Sequence, residues 1–160
     1  MGQERIVLAV FGEGGHEAQM TRLMSKLSPL LRDDIVSITD SIKDQEWSKC
    51  KVNLPELRNK EKRDVIGMFL RIKKCLGILS KINNRYSVSS ICSTGPGIAI
   101  ISSLYFKVFS STQIIYIETW SRFSSKSLTG RIMYLLADKF YIQNKELQSL
   151  YPKAIYSGRL

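Results

Sequence analysis

Short apolar runs alternate with amphipathic segments along this sequence, and this order restricts the chain to few folds. The first run, residues 6–11 (IVLAVF), is continuously apolar and ends at a glycine, which is typical of a strand buried on both faces of a parallel sheet. The segment 16–31 follows, and its apolar residues, among them Met20, Leu23 and Met24, recur at helical spacing. The same order continues along the chain, with strands expected at 35–38, 88–92, 113–117, 139–142 and 154–156 and helices at 63–83, 98–109, about 127–137 and from Asn144.

Strict alternation of this kind predicts an α/β fold, a Rossmann-like parallel sheet with helices on both faces. Residues 42–62 interrupt the pattern because they are polar and irregular, so no strand or helix is predicted there. A length of 160 residues suits one domain, and we expect the chain 1–160 to form a single one. Ligands of open parallel sheets bind at the carboxyl ends of the strands, which is where the glycine turns of this sequence fall.

Composition excludes several classes of protein. A hydrophobic fraction of 44% is too high for a disordered chain, and three cysteines without a CxxC pair predict free thiols rather than a disulfide framework or a zinc site. No secretory signal is visible, and no apolar run approaches the roughly 20 residues of a membrane span. The sequence is therefore expected to belong to a soluble or peripheral protein.

The charge is strongly positive and unevenly distributed. The 24 Lys and Arg against 14 Asp and Glu give a net charge of +10, which favours an anionic partner. Between Arg58 and Arg85, nine basic residues face two acidic ones, largely on one expected amphipathic helix. That helix suits an anionic membrane surface, although a solvated helix face is the alternative. Nucleic acid is not expected as a partner, because no RNP, KH or helix-turn-helix pattern is present. The predicted membrane-facing residues are Arg71, Lys73, Lys74 and Lys81.

The first chemistry-bearing turn follows the first strand and consists of Gly12, Gly14, Gly15 and His16. Glycines let a backbone approach a ligand closely, and the amides at a helix start favour phosphate. His16, the only histidine, stands where the helix dipole lowers an imidazole pKa, so it is a candidate base or hydrogen-bond donor. A turn without a ligand and a capping histidine are the alternatives. Glu17 stands where a dinucleotide fingerprint needs glycine, and no Walker loop is present.

Two further turns follow predicted strands. Thr94, Gly95 and Gly97 belong to the second, which is expected to face the first turn across a cleft or to be a rigid joint. Glu118 and Arg122 belong to the third, where a carboxylate and a guanidinium can orient a sugar hydroxyl and a phosphate, or pair with one another. No paired carboxylates and no His/Cys cluster occur, so no metal site is predicted.

Three segments together resemble one known family. They are FGEGGHEAQM (11–20), STGPG (93–97) and the stretch 117–158, with ETWSR, SLTG, AD-x-F, Q-x-x-EL and YP-x-A in order at close spacing. The sequence is similar to the acceptor-side, membrane-associating subunit of split GT-B glycosyltransferases. That group includes the anchoring subunit of the eukaryotic dolichol-linked N-acetylglucosaminyltransferase and bacterial PssD-type capsule and exopolysaccharide proteins. The resemblance covers nearly the whole chain and is weakest over 40–90.

The resemblance implies a half-enzyme equivalent to the N-terminal half of a GT-B glycosyltransferase. Such a subunit binds a lipid-diphosphate-linked saccharide, while a separate catalytic partner brings the UDP-sugar donor, so this chain is expected to bind no cofactor itself. No N-terminal membrane helix is apparent, and the sequence ends where a one-chain enzyme would cross to its second domain. These points fit the bacterial branch better. We therefore expect an undecaprenyl-diphosphate-linked acceptor, capsule or exopolysaccharide synthesis, and a peripheral location at the inner face of the plasma membrane.

The resemblance also suggests roles for the turn residues. The single-chain relative that makes lipid II has a similar glycine-rich turn ending in histidine near the acceptor diphosphate. By that similarity, the first turn contacts the acceptor phosphate or hydroxyl and His16 is the candidate base. Glu118 is carried over as a second catalytic candidate, and Thr94, Gly95, Gly97 and Arg122 as acceptor-binding residues.

Two functions of other classes stay open at this point. A stand-alone Rossmann module could bind a nucleotide or dinucleotide, with Asp40 holding a ribose, although the incomplete fingerprint counts against it. A basic scaffold for RNA or DNA would show a steep salt dependence of binding.

Overall fold

The computed structural model describes residues 2–54 and 65–160, which form one parallel sheet in the strand order β3-β2-β1-β4-β5-β6-β7. Every pair of neighbouring strands is parallel. The strands are β1 (Glu4–Phe11), β2 (Asp34–Thr39), β3 (Cys50–Asn53), β4 (Tyr86–Gly95), β5 (Gln113–Ile117), β6 (Lys139–Ile142) and β7 (Ile155–Tyr156). The helices are α1 (Gly15–Leu27), α2 (Val65–Arg85), α3 (Ile98–Phe109) and α4 (Leu128–Leu136), with short 3-10 helices at Ser28–Leu30 and Lys145–Ser149.

Helices lie on both faces of the sheet, which confirms the predicted fold class. On one face, α2, α3 and α4 bury residues such as Leu79, Phe106 and Met133 against the strands. On the other face, α1 packs Met20 and Met24 against β1 and its neighbours. The central strand β1 is apolar throughout residues 6–11 because both of its faces are covered.

Several element boundaries differ from those predicted. Strand β3 lies within the segment for which no element was predicted, because it is a half-exposed edge strand with no apolar run. Helix α1 ends at Leu27 and gives way to a 3-10 turn at Pro29. Strand β4 extends to Gly95, so half of the predicted second turn belongs to the strand itself. The predicted helix at 63–83 begins in α2 at Val65, and the preceding part of that prediction lies outside the described residues.

The sequence predicts Ser127 or Thr129 as the cap of the helix through about 137 and Asn144 as the cap of the next one, and the two predictions have opposite outcomes. Ser127 caps α4, because its side chain accepts a hydrogen bond from the amide of Gly130. Asn144 does not cap the helix that follows it. Its side-chain amide instead donates to the carbonyls of Trp120 and Arg122 and holds the loop after β5.

The topology brings the predicted turns to one place. The chain order reverses between β1 and β4, which are neighbours at the centre of the sheet. The turns after these two strands therefore meet at the carboxyl edge, the usual ligand position in such sheets. Among the residues that the structure describes, no helix is both long enough and apolar enough to cross a membrane.

The cysteines are free, as predicted. Cys50 is exposed on β3, whereas Cys75 and Cys92 are buried. Burial raises the pKa of the Cys92 thiol to about 12, so this thiol is protonated and inert at neutral pH.

Candidate functional site

The two glycine turns at the switch point are in direct contact. The amide of Gly12 donates to the carbonyl of Gly95 at 3.1 Å, and a Cβ on Gly12 would lie 2.5 Å from Cδ of Pro96. The expectation that the two turns face one another across a cleft is therefore wrong, because they touch. They form one joined surface, and any ligand must bind on top of it.

His16, the second residue of α1, lies on this joined surface. Its ring packs against Gly95, where a Cβ would lie only 2.9 Å from Cε1 of His16, so the absence of a side chain makes room for the imidazole. The φ of Gly95 is +99°, a conformation that also favours glycine. The hydroxyl of Thr94 donates to the backbone carbonyl of His16 at 3.0 Å. The second turn thus positions the histidine of the first.

The imidazole of His16 is held in its neutral form at pH 7. Burial lowers its pKa below the ordinary value of 6.5, although the nearby backbone of Thr94 and the charges of Glu118 and Asp40 oppose the shift. Its Nδ1 is buried without a hydrogen-bond partner among the described residues. The sequence interpretation expected a neutral histidine from the helix dipole, and in the structure the main cause is burial.

The remaining glycines of the first turn are open to solvent. Gly14, with φ of +81°, and Gly15 have no neighbour that a Cβ would meet within 4 Å. As the first residues of a helix, Gly15 and His16 carry amides without an intrahelical acceptor, which is the arrangement that binds anions. Asp40 stabilises the turn, because its carboxylate accepts a hydrogen bond from the amide of Glu13 at 2.7 Å.

The second turn is mostly buried and supports the first turn from inside the protein. Thr94 and Gly95 are buried, with their free groups turned to His16 and Gly12. Gly97 precedes α3, and its carbonyl accepts the amide of Ile100 at 3.1 Å. The structure therefore places Thr94 and Gly95 beneath the candidate site rather than in direct reach of a phosphate.

Glu118 is the centre of a buried network. It is 0% exposed, and its carboxylate accepts hydrogen bonds from the hydroxyls of Ser127 and Tyr151 and from the amide of Thr119, at 2.8–3.0 Å. Gly130 completes the network, because a Cβ there would lie 1.8 Å from Oε2 of Glu118. This geometry does not support the predicted catalytic role of Glu118, because the buried carboxylate is not accessible to a substrate.

The network explains the SLTG motif in physical terms. Ser127 caps α4 and donates to Glu118 with the same hydroxyl, while Gly130 leaves room for that carboxylate. Burial and the charge of Glu118 raise the pKa of Tyr151, so this phenol stays protonated and donates. The sequence predicted Ser127 only as a candidate helix cap and indicated no role for Gly130 or Tyr151, although all three belong to motifs of the resemblance.

Arg122 lies on the exposed loop between β5 and α4 and does not pair with Glu118. Its Nη1 donates to the hydroxyl of Ser125 at 3.1 Å, and its backbone carbonyl is held by Asn144. Two guanidinium groups lie over aromatic rings of the same loop and stabilise it. Cζ of Arg22 is 4.9 Å from the ring centroid of Trp120, and Cζ of Arg159 is 5.4 Å from that of Phe123. The loop therefore presents positive charge at the carboxyl edge of β5.

The predicted membrane-facing residues all lie on α2, outside the glycine turns. Arg71 is half-buried on α2, and Lys73, Lys74 and Lys81 are exposed on the same helix. Among the described residues, no group of three or more His, Cys, Asp or Glu side chains is placed to hold a metal ion.

An apolar pocket of about 320 Å³ lies on the opposite face of the sheet from α2, α3 and α4. Leu23 and Leu27 of α1 form one wall, Ile117 and Tyr141 form the floor, and Leu160 closes one end. This face of β5 and β6 is thus less completely covered than the helical face.

The fold and the joined glycine turns define an α/β domain of the kind that forms one half of a GT-B protein. Solved structures agree: MurG of Acinetobacter baumannii matches with a TM-score of 0.60 at 12% identity over 87% of this chain. A UDP-N-acetylglucosamine 2-epimerase matches with a TM-score of 0.66 at 12% identity over 94%. The chain spans only 41% and 45% of those two proteins, so the likeness concerns the fold of one half.

The chain belongs to the family of oligosaccharide biosynthesis proteins described as Alg14-like, whose profile matches residues 7–160. A similar curated protein is the UDP-N-acetylglucosamine transferase subunit ALG14 of Kluyveromyces lactis, 28% identical over 98% of this chain and 79% of that protein. The human subunit of the same name is 26% identical over 96% of this chain and 82% of its own length. The prediction of a glycosyltransferase subunit is thereby confirmed at the level of the family.

Proposed function

We propose that this chain is the acceptor-binding subunit of a two-chain glycosyltransferase. It binds a lipid-diphosphate-linked saccharide at the carboxyl edge of its sheet, and a separate catalytic subunit brings the UDP-sugar donor. The observation that carries the proposal is the joined glycine turn with His16 packed on Gly95. Membership of the Alg14-like family supports it.

The site suits an anionic acceptor that carries a hydroxyl nucleophile. The open amides at the start of α1 meet the diphosphate, and Arg122 on the neighbouring loop adds a cation. The neutral imidazole of His16 then takes the proton from the acceptor hydroxyl as that oxygen bonds to the anomeric carbon of the donor sugar, while the bond from this carbon to UDP breaks and UDP leaves. Glu118, Thr94 and Gly95 act on the reaction only by holding these groups in place.

The catalytic partner docks on the less completely covered face of the sheet. The chain aligns with about two-fifths of each GT-B-like structure, so a complete enzyme of that shape needs a second domain. The apolar pocket between Leu27, Tyr141 and Leu160 offers that partner a surface to bury. Leu31 lines the same pocket and is 37% exposed, so substituting it by Asp should prevent co-purification of the partner while the isolated chain keeps its unfolding midpoint. Undiminished co-purification would reject the pocket as the docking surface.

For the carrier and the pathway class we propose an undecaprenyl-diphosphate acceptor and synthesis of a capsular or exopolysaccharide repeat unit. Support comes from the resemblance of segments 11–20, 93–97 and 117–158 to PssD-type proteins. The exposed Lys73, Lys74 and Lys81 of α2, together with Arg71, support peripheral attachment to an anionic membrane at the inner face of the plasma membrane.

The decisive experiment reconstitutes the pair. The chain is co-expressed with a candidate donor-binding partner, and transfer is measured from a panel of UDP-sugars, UDP-N-acetylglucosamine included. Undecaprenyl-diphosphate and dolichyl-diphosphate acceptors bearing the same sugar are compared. We expect transfer only with both chains present and preferentially to the undecaprenyl acceptor. Equal activity of the isolated chain would reject the half-enzyme, and preference for dolichol would reject the bacterial assignment alone.

The nucleotide-binding alternative fits this geometry poorly. Glu17, where the fingerprint needs glycine, is buried and accepts hydrogen bonds from Ser41 and Gln45 at 2.8 Å each. Asp40, the proposed ribose ligand, accepts the amide of Glu13 instead. Calorimetry of the isolated chain with NAD and with UDP should give no tight binding, and submicromolar affinity for either would reverse this ranking.

A further inference from the structure

Two polar side chains of α1 each have a buried atom without a hydrogen-bond partner among the described residues. The atoms are Nδ1 of His16 and Oε1 of Gln19. Gln19 is 0% exposed, so water does not reach its amide oxygen from the surface. Native proteins rarely leave buried polar atoms unpaired, and those that remain are often found where a protein does chemistry.

The end of β5 fixes the orientation of the Gln19 amide. Its Nε2 donates to the backbone carbonyl of Glu118 at 3.3 Å, and because a carbonyl oxygen only accepts, Oε1 of Gln19 must point elsewhere. Gln143 offers a contrast at the same place. Its Nε2 donates to the same carbonyl at 3.0 Å, and its Oε1 accepts a hydrogen bond from the amide of Leu160 at 3.1 Å. Both ends of Gln143 are thus paired within the fold, whereas Gln19 keeps an unpaired acceptor.

The two unpaired atoms belong to neighbouring positions on one helix. Residues three apart on a helix are neighbours on its surface, with about 5–6 Å between their Cβ atoms. Gln19 bonds to the backbone of Glu118, and the carboxylate of Glu118 acts electrostatically on the imidazole of His16, so both side chains lie near the end of β5. The terminal torsions of glutamine and histidine are soft, so the two atoms can meet without movement of the backbone.

The other groups around the imidazole do not accept a hydrogen bond from Nδ1. The carboxylates of Glu118 and Asp40 act on the ring through their charge, but each accepts its hydrogen bonds from other groups. The backbone of Thr94 also lies near the ring, and no hydrogen bond joins it to Nδ1. Oε1 of Gln19 is therefore the buried, unpaired acceptor that matches a protonated Nδ1.

We propose that Gln19 is a positioning residue for His16, whose Nδ1–H it accepts through Oε1 so that Nε2 is the basic nitrogen. The catalytic consequence rests on the proposed function, whereas the hydrogen bond itself does not. As the acceptor oxygen bonds to the anomeric carbon and UDP leaves, the hydroxyl proton moves to Nε2, and Nδ1–H stays donated to Gln19. A charged donor makes a stronger hydrogen bond than a neutral one, so the amide stabilises the imidazolium more than the resting ring.

A neutral amide at this position also keeps the resting imidazole uncharged. A carboxylate there would stabilise a permanent imidazolium, and a protonated ring cannot act as a base. Gln19→Glu therefore keeps an acceptor for Nδ1–H but raises the pH at which the ring becomes neutral. Gln19→Leu removes the acceptor.

The first test uses His16 as the only histidine of the chain. The 15N NMR signals of the imidazole in the purified, untagged chain report its tautomer and its titration directly. The wild type should show the Nδ1–H tautomer. Gln19→Leu should lose the preference for that tautomer and titrate at lower pH, while Gln19→Glu should keep the tautomer and titrate at higher pH.

Gln143→Leu is the matched control. It removes a hydrogen bond to the same carbonyl of Glu118 but no acceptor for His16, so the tautomer and titration of the imidazole should be those of the wild type. If Gln19→Leu does not fold, the isosteric Gln19→Glu decides alone, and a titration midpoint equal to that of the wild type would then reject the hydrogen bond.

The second test measures transfer by the reconstituted pair as a function of pH. At about pH 8, Gln19→Leu should lower kcat about tenfold with little change in KM, as expected for a misplaced base. Gln19→Glu should retain most of the wild-type kcat at that pH and lose it at a higher pH than the wild type does. Gln143→Leu should keep the pH profile of the wild type.

Three outcomes would overturn the proposal. The first is an Nε2–H tautomer in the wild type. The second is an unchanged tautomer and midpoint in Gln19→Leu, which would assign the proton to the backbone near Thr94. The third is an equal change in Gln143→Leu, which would reduce the effect to packing. The proposed function fails separately: the expected NMR results together with undiminished transfer by His16→Ala would keep the hydrogen bond and reject the base.

Discussion

Replacing Gly130 by alanine should destabilise the protein by disrupting the buried Glu118 network. The added Cβ would stand 1.8 Å from Oε2 of Glu118 and 2.7 Å from the hydroxyl oxygens of both Ser127 and Tyr151. No rotation of a flexible surface group relieves these contacts, because Glu118 is fully buried and already accepts several hydrogen bonds.

The magnitude follows from opposing contributions to the free energy of unfolding. Overpacking a well-filled site costs about 1–3 kcal/mol. A strained hydrogen bond to a buried carboxylate loses part of the roughly 1.5–3 kcal/mol that such a bond contributes. Alanine regains about 1 kcal/mol of helix propensity over glycine inside α4. The net expectation is a loss of about 1–4 kcal/mol, which is a substantial share of the stability of a typical domain.

Urea unfolding followed by circular dichroism measures this change, with the midpoint and slope fitted separately. Gly77→Ala is the matched control, because Gly77 lies within α2 and a Cβ there meets nothing within 4 Å. That variant should gain up to about 1 kcal/mol from helix propensity alone. If Gly130→Ala were as stable as Gly77→Ala, the packing argument for the Glu118 network would be refuted.

Four further predictions concern His16 and the glycine on which its ring packs. His16→Ala in the reconstituted pair should lower kcat by about 10²–10⁴-fold, as expected for loss of a general base. The urea midpoint of the variant should stay close to that of the wild type. Unchanged transfer would show that His16 is not the base. Because burial lowers the pKa of His16 below 6.5, kcat/KM should stay level down to about pH 6.5 and fall only at lower pH, and His16→Gln should abolish that acid limb. The same depressed pKa means that the unfolded chain takes up the proton first, so the stability contributed above pH 6.5 is lost as the pH falls, and the His16→Gln variant should show a shallower loss in acid unfolding titrations. Gly95→Ala should displace the imidazole, since the Cβ would lie 2.9 Å from Cε1 of His16 at a φ of +99°; transfer should fall as in His16→Ala, and wild-type transfer would contradict the packing of the two turns.

The alternation of apolar runs and helical periods predicted the fold class and six of the seven strands. The central strand β1 is apolar from residue 6 to residue 11 because both of its faces are covered there, and this leaves a clear signal in the sequence. Strand β3 leaves no such signal, because an edge strand with half-exposed side chains is specified by its pairing with β2.

The candidate site was predictable in its composition but not in its contacts. Glycines after buried strands and a histidine at a helix start pointed to the first and second turns. Only the pairing of β1 with β4 decided that these turns touch, and that Gly95 and Thr94 support His16 from beneath. A distance of nearly 80 residues along the chain carries no information about such a contact until the sheet order is known.

Glu118 is the clearest example of a residue that the sequence indicates but whose surroundings depend on the fold. From the sequence alone, one can place a carboxylate at a strand end and a series of motifs from 117 to 158 that accompanies it. The folded chain turns this carboxylate inward to Ser127, Tyr151 and the space left by Gly130, instead of outward to a substrate. Burial and hydrogen bonding depend on what packs around a group, and the residues that surround Glu118 come together only when β5, α4 and the segment after β6 are assembled.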